Sequence, residues 1–267
     1  MNNRLNLPTV AVILIASPVT LAVGEILVDE SFDYPLGAIA GQVGGIGFNG
    51  AYTGGGNVTS PGQTYPGLIT FGNTFSTAGS NNGAFRLLQT PVGTDAGTLY
   101  VRFLGSNTSG SAPDYAGLSF FNGAADEELF FGKTFNAANY GFEVSDVPNG
   151  QGARNAANGP ISATTTLLVY RLSFTPTGDT IDLFVNPGSS LAATPDATFT
   201  TTDDAIFSDT FDRIRLQSGA NAPTFDYDEI RFATTEAEVL SAIPEPSTFG
   251  LLGLTTVGIA ALRRRRA

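Results

Sequence analysis

The stretch Leu168-Val-Tyr-Arg-Leu-Ser-Phe-Thr-Pro-Thr-Gly-Asp-Thr-Ile-Asp-Leu-Phe-Val185 decides the architecture. Leu168, Tyr170, Leu172 and Phe174 recur at every second position against Val169, Arg171 and Ser173. Side chains of an extended chain alternate between two faces, so this period marks a half-buried strand. Pro176-Thr-Gly-Asp179 has turn chemistry, and Ile181-Asp-Leu-Phe-Val185 resumes the alternation, which predicts an antiparallel hairpin with a short loop. The same period runs through Gly97 to Leu104, with Leu99, Val101 and Phe103 on one face. Ile26 to Phe32, Ala84 to Gln89, Tyr115 to Asn122, Glu128 to Gly132, Tyr140 to Ser145, Phe211 to Gln217 and Phe225 to Ala233 read as further strands. Gly, Pro, Asn and Ser separate them, and 32 Gly with 15 Pro are too many for a helical protein. The expected fold is therefore all-β, an antiparallel β-sandwich of the jelly-roll type. Its one helix-like piece is Thr235-Glu-Ala-Glu-Val-Leu240, in which Thr235 can cap and Glu236 and Glu238 suit the positive end of a first turn. This piece closes the domain and hands the chain to its tail.

The two ends read differently from the body. Residues 1–24 have the parts of a secretory signal peptide: Arg4 as the positive region, a short apolar run from Val10 to Ala16, and Ala22-Val-Gly24 as a small-x-small cleavage site. An uncleaved N-terminal helix is the alternative. Residues 243–267 combine Pro244-Glu-Pro246, an apolar segment to Leu262 and the cluster Arg263, Arg264, Arg265 and Arg266. About 16 apolar residues at ~1.5 Å each span roughly 24 Å, somewhat less than the ~30 Å of bilayer hydrocarbon, so the tail predicts one short transmembrane helix. The arginines stay cytoplasmic by the positive-inside bias, which leaves the body, residues 25–242, outside. Pro244 and Pro246 fix φ and remove donors, leaving an extended strip before the helix.

Composition narrows the function. Of 13 Lys and Arg, Arg4 and Arg263 to Arg266 lie in the end segments, and of 24 Asp and Glu only Glu245 does, so the body carries a net charge of about −15. Such a surface repels nucleic acid and anionic lipid heads. The chain has no Cys and no His, which excludes disulfides, Ser–His and Cys–His hydrolases and histidine–zinc sites.

The tail resembles the PEP-CTERM sorting signal, in which Pro-Glu-Pro, an apolar helix and a basic terminus follow in this order. The resemblance implies that the Sec translocon and signal peptidase export the chain across the inner membrane of a Gram-negative-type bacterium. An exosortase-type membrane protease would then recognise Pro244, Glu245 and Pro246, remove the helix and leave the body at the cell surface or outside the cell. The alternative is a plain tail anchor that is never cut.

The body is similar to the concanavalin-A-like lectin/glucanase sandwiches. The residues that carry this are Glu30-Ser-Phe-Asp-Tyr-Pro35, Gly44 to Tyr52, Tyr115 to Phe121, Glu127 to Lys133, Phe211 to Leu216 and Phe225 to Phe232. In that group the position of Tyr52 and one near Glu236 commonly hold Trp, whereas this chain has no Trp. Glucanases of this superfold carry an E-x-D-x-x-E run, which is absent here. The nearest acidic cluster is Asp226, Asp228 and Glu229, with Asp226 and Asp228 sharing a face and Glu229 turned away. These charges are expected to be solvated or to pair with Arg213, Arg215 and Arg231. Tyr52, Asp226 and Asp228 are the candidate ligand-binding residues, and no catalytic residue is assigned. Calcium is the one cofactor left open, with Asp203 and Asp204 or Asp226 and Asp228 as carboxylate ligands. Asp126-Glu-Glu128 reads as a solvated turn, and Asn57-Val-Thr and Asn107-Thr-Ser as polar loops.

Three functions fit. The first is a non-catalytic cell-envelope or biofilm-matrix protein that binds exopolysaccharide. The second is a glycan-degrading enzyme of the laminarinase-like superfold, and the third a structural or adhesive module without a small ligand. The first is the leading expectation.

Overall fold

A computed structural model describes residues 24–77, 83–93, 96–108, 114–124, 126–144, 154–201, 210–219 and 224–241. The signal peptide up to residue 23, Asp203, Asp204, Pro244 to Pro246, the apolar tail and Arg263 to Arg266 lie outside them.

The strands are β1 (Ile26–Glu30), β2 (Gly37–Ala38), β3 (Phe48–Gly54), β4 (Asn57–Thr59), β5 (Thr74–Ser76), β6 (Ala84–Val92) and β7 (Gly97–Asn107). They continue as β8 (Tyr115–Asn122), β9 (Asp126–Lys133), β10 (Asn139–Val144), β11 (Arg154–Pro160), β12 (Thr166–Phe174) and β13 (Thr180–Val185). The chain then forms β14 (Ala197–Thr200), β15 (Phe211–Gly219), β16 (Phe225–Ala233) and the helix α1 (Glu236–Leu240). One sheet runs β14-β13-β12-β7-β16-β5-β4-β2 with β1 also on β16, and the second runs β11-β10-β9-β8-β15-β6-β3. Every pairing is antiparallel, and the β12–β13 hairpin pairs Leu168 with Val185 and Leu172 with Ile181, as the alternation predicts. The antiparallel β-sandwich is thus the fold.

Inward aromatics join the sheets. Tyr170 of the nine-stranded sheet stacks on Phe131 of the seven-stranded one, with ring centroids 4.1 Å apart and planes 5° apart. Phe120 lies 5.2 Å from both Phe211 and Phe232. Burying each such side chain contributes about 1.5–3 kcal/mol, and a core of this size stabilises the domain without disulfides.

The outer faces of the two sheets differ. On the nine-stranded sheet Leu104, Leu167, Val169, Phe184 and Ala233 point outward, and the chain covers them with Val239 and Leu240 of α1, Tyr65, Leu68 and Leu191. Thr235 caps α1 by accepting from the Glu238 amide, as its sequence predicts. Arg102 and Arg231, paired across β7 and β16, satisfy the helix's free carbonyls. Arg102 donates to the oxygens of Val239 (2.7 Å) and Ser241 (3.1 Å), and Arg231 to that of Glu238 (3.1 Å). Glu229 and Asp29 balance the two guanidinium charges at 3.5 and 2.8 Å. The Glu25 amide donates to Thr234 Oγ1 and the Thr234 amide to the Glu25 carbonyl, so the body begins beside its own C-terminal helix.

Three expectations need correction. Asp126 and Glu127 open strand β9, where Glu127 pairs with Phe121, and Glu128 is buried, so this run is not a solvated turn. Asn57 and Asn107 lie in β4 and β7, not in loops. Glu229 is not turned away from Asp228: it takes φ 51° at a bulge between Asp228 and Arg231. The extra residue of a bulge breaks the period of two, and Glu229 reaches Arg102 on the covered face.

Candidate functional site

The outer face of the seven-stranded sheet is the one that chemistry marks. Successive pairings set Glu143 of β10 beside Phe130 of β9, Phe130 beside Ser119 of β8, Ser119 beside Arg215 of β15, and Arg215 beside Phe85 of β6. One row of outward side chains therefore crosses five strands. A neighbouring row is Gly141, Gly132, Gly117 and Gln217, so three residues without side chains leave a trough in which all three are buried, Gly117 under the Phe130 ring. A Cβ on Gly117 would stand 2.6 Å from the Phe130 ring, and one on Gly219 would meet the Tyr115 ring at 1.8 Å. Glycine there lets both rings lie against the sheet. From beneath, Tyr170 donates to the Gly141 carbonyl (2.8 Å), and Tyr227 to those of Gly117 (3.1 Å) and Gln217. The core thus pins the floor of the trough.

Tyr115, Phe130, Phe135, Glu127, Glu143, Arg215 and Gln217 enclose a depression of about 270 Å³. Tyr115 and Phe130 meet edge to face at 6.2 Å, and Phe135 is 62 % exposed. Arg215 donates to Glu127 (2.6 Å) and Ser119 (3.3 Å), and its guanidinium lies 4.9 Å from the Phe121 ring and 5.6 Å from that of Phe85. Glu143 makes no ion pair among the described residues; burial, and then the charge of Glu127, push its carboxyl above the usual range. Gln217 is 7 % exposed and lines the depression. Flat apolar faces beside a few polar groups suit a ligand that is apolar on its ring faces and polar at its edges. A larger cavity of about 550 Å³ lies between Glu25, Gln89 to Gly93 and Phe174, where Glu25 is the one ionisable group among the described residues.

Of the candidate ligand-binding residues, Tyr52, Asp226 and Asp228, none stands on this face. Tyr52 is buried and donates to Glu30 (3.2 Å), so it presents no ring to a ligand. Asp226 accepts from Thr108 (3.1 Å) and sits in β16, between β7 and β5 of the other sheet. Asp228 is fully buried, and its two oxygens accept from the amides of Gln63 (2.7 Å) and Glu229 (2.8 Å), which occupies the positions a cation would take. Among the described residues no group of three acidic side chains is placed to hold a metal ion. A usable signal did exist: Phe121 and Phe130 stand at the outward parity of strands whose inward parity is already filled by Phe120 and Phe131.

Burial pushes the Asp228 carboxyl up to about 8, outweighing its two amide donors, and raises Glu30 and Glu229 in the same direction. An unfolded carboxyl titrates near ~4, so between that value and the folded one the native state holds the extra protons. Stability is then greatest at the acidic end and is lost as pH rises through about 8. The urea midpoint is expected to fall steadily from pH 5.5 to 8.5. A midpoint that rises over this window contradicts the assignment.

Residues 242–266 match the family model described as the PEP-CTERM protein-sorting motif. The motif implies an exosortase as processing partner, with export and transient anchoring in the membrane. No curated protein sequence matches the chain. Among solved structures, the T. cruzi calreticulin globular domain is similar at 11 % identity and a TM-score of 0.49, over 81 % of this chain and 91 % of that one. The Emp47p carbohydrate recognition domain is similar at 12 % identity and 0.42, over 76 % and 96 %. The botulinum neurotoxin serotype D binding domain is similar at 10 % and 0.46, over 75 % of this chain and 48 % of that one. No site is transferred from these likenesses.

Proposed function

We propose that this chain is an exported cell-envelope or matrix protein that holds carbohydrate, without turning it over, on the outer face of its seven-stranded sheet. Residues 1–24 direct export and are removed, residues 25–242 are the working domain, and residues 243–267 hold the chain in the inner membrane until an exosortase-type protease releases the body. The sorting motif at residues 242–266 supports the route. The single observation that carries the activity is the depression where Tyr115, Phe130 and Phe135 meet Glu127, Glu143, Arg215 and Gln217. Sugar rings are apolar on their faces and hydroxylated at their edges, which matches aromatic walls with carboxylate, guanidinium and amide groups between them.

The test is calorimetric titration of the folded body with neutral and charged hexasaccharides, with oligosaccharide length followed in the same samples. Tyr115→Ala is expected to weaken binding about tenfold, the equivalent of ~1.4 kcal/mol for one lost aromatic face. Binding by no hexasaccharide overturns the reading. A second reading, hydrolysis, is favoured by the Glu127–Glu143 pair, since two carboxyl groups lining one depression, with Glu143 raised by burial and its neighbour, suit a general acid and its partner. Shortening of the oligosaccharide, abolished in Glu143→Gln, would select it. For the route, Glu245→Ala should keep the chain full-length in the inner membrane, while the parent is shortened and found outside it.

A further inference from the structure

The depression on the open face lacks one positive charge. Glu127 and Glu143 both line it, and Arg215, the one cation there, is committed to Glu127 at 2.6 Å. Its guanidinium is also turned onto Phe121 and Phe85. Lys133, the only lysine of the chain, is buried and donates to the Asp114 carbonyl (2.8 Å), so it is committed away from Glu143. Glu143 thus stands half-buried beside a second carboxylate with no cation of its own among the described residues, which is why its proton is held more tightly. The walls around it are aromatic: Tyr115 and Phe130 set edge to face, and Phe135 standing out into solvent. Ring faces attract cations, more strongly where water is excluded. The side chain of Gln217, a residue only 7 % exposed that lines the depression, adds a donor and an acceptor there. A depression of about 270 Å³ lies below the ~300–1,000 Å³ of drug-sized pockets, so it takes one small unit of a longer ligand.

We infer that this depression receives a protonated amino group, and that the glycan held on this face carries free amino sugars, hexosamine units without their acetyl groups. The inference rests on the carbohydrate-binding reading and names its ligand class. An ammonium between Glu127 and Glu143 completes the charge of the site, and the sugar that bears it rests against Tyr115 and Phe130. Acetylation removes that charge, so the chain would distinguish de-N-acetylated polymer from the acetylated form of the same backbone.

The experiment titrates the folded body with three hexasaccharides of one linkage: all glucosamine, all N-acetylglucosamine and all glucose. The glucosamine hexamer is expected to bind at least about tenfold more tightly than the other two, and Glu143→Gln and Phe135→Ala should each remove most of that preference. Asp33→Asn, an exposed residue off this face, carries the same charge change and should leave the preference intact. If Asp33→Asn abolishes it equally, overall acidity attracts the polycation and the inference falls. Equal binding of all three hexamers overturns the amine preference while the carbohydrate reading stands, and binding of none overturns both.

Discussion

Arg102→Met is expected to unfold about 6–20 °C below the parent protein, a loss of ~3–5 kcal/mol in a domain of this size. Arg102 has no exposed surface, and the pairing of β7 with β16 sets it directly against a second buried cation, Arg231. Burial first, and then the charge of Arg231, lower its pKa to about 10, so it remains charged at neutral pH. What repays that burial is Glu229 at 3.5 Å and the carbonyls of Val239 and Ser241 at 2.7 and 3.1 Å. Methionine fills the volume but leaves Glu229 without that ion pair and the Val239 carbonyl without its arginine donor, while the Ser241 carbonyl keeps Arg231. The double variant Arg102→Met with Glu229→Gln should recover more than half of the loss, because an unpaired buried charge costs more than the absence of both. A second readout is proteolysis near Leu240, which should precede global unfolding in the single variant as α1 loses its hold. Melting of Arg102→Met within about 2 °C of the parent would show that the arginine is a passenger. Ser241, where this clamp ends, is the residue before the stretch 242–266 that matches the sorting motif.

Glu30→Ala is expected to cost a similar ~3–5 kcal/mol, and Glu30→Gln a smaller ~1–3 kcal/mol. Glu30 is buried between the sheets, where its carboxylate accepts from the Phe32 amide (2.9 Å), Tyr34 (2.7 Å) and Tyr52 (3.2 Å) and lies 3.8 Å from Arg86. Arg86 in turn lies 4.6 Å from the Tyr52 ring and 4.8 Å from that of Phe48, and donates to the Gly44 carbonyl. Alanine leaves Arg86 without an anion and three donors without an acceptor. The Phe32 amide is one of them, and Phe32 holds φ 52°, a conformation that costs ~1–3 kcal/mol and persists only when its surroundings fix it. Glutamine keeps one acceptor and the volume, hence the smaller loss. The two variants should separate in chemical denaturation at unchanged slope, and equal midpoints would mean that the charge is not what matters.

Alternation in Leu168 to Val185, Gly97 to Leu104 and Tyr115 to Asn122 determined the strands, their inward residues and the sandwich, because a period of two fixes which side of a strand is buried whatever it pairs with. The end of the domain was legible for the same local reason: Thr235 and the two glutamates after it specify a capped turn without help from distant residues. The tail was legible because an address is linear. Glu229 was not, since a bulge adds one residue to one strand, and only the ladder against β7 shows where the period breaks. Tyr52 looked like a binding aromatic, but its place is decided by Glu30 and Arg86, one 22 and the other 34 positions away, closing over it. The open face was least legible of all. Its row from Glu143 through Phe130, Ser119 and Arg215 to Phe85 joins residues from five strands spread over 131 positions, from 85 to 215. Each reads alone as an ordinary outward side chain. Only the order of strands in the sheet brings them together, and that order is set by which buried faces fit one another, not by any local signal.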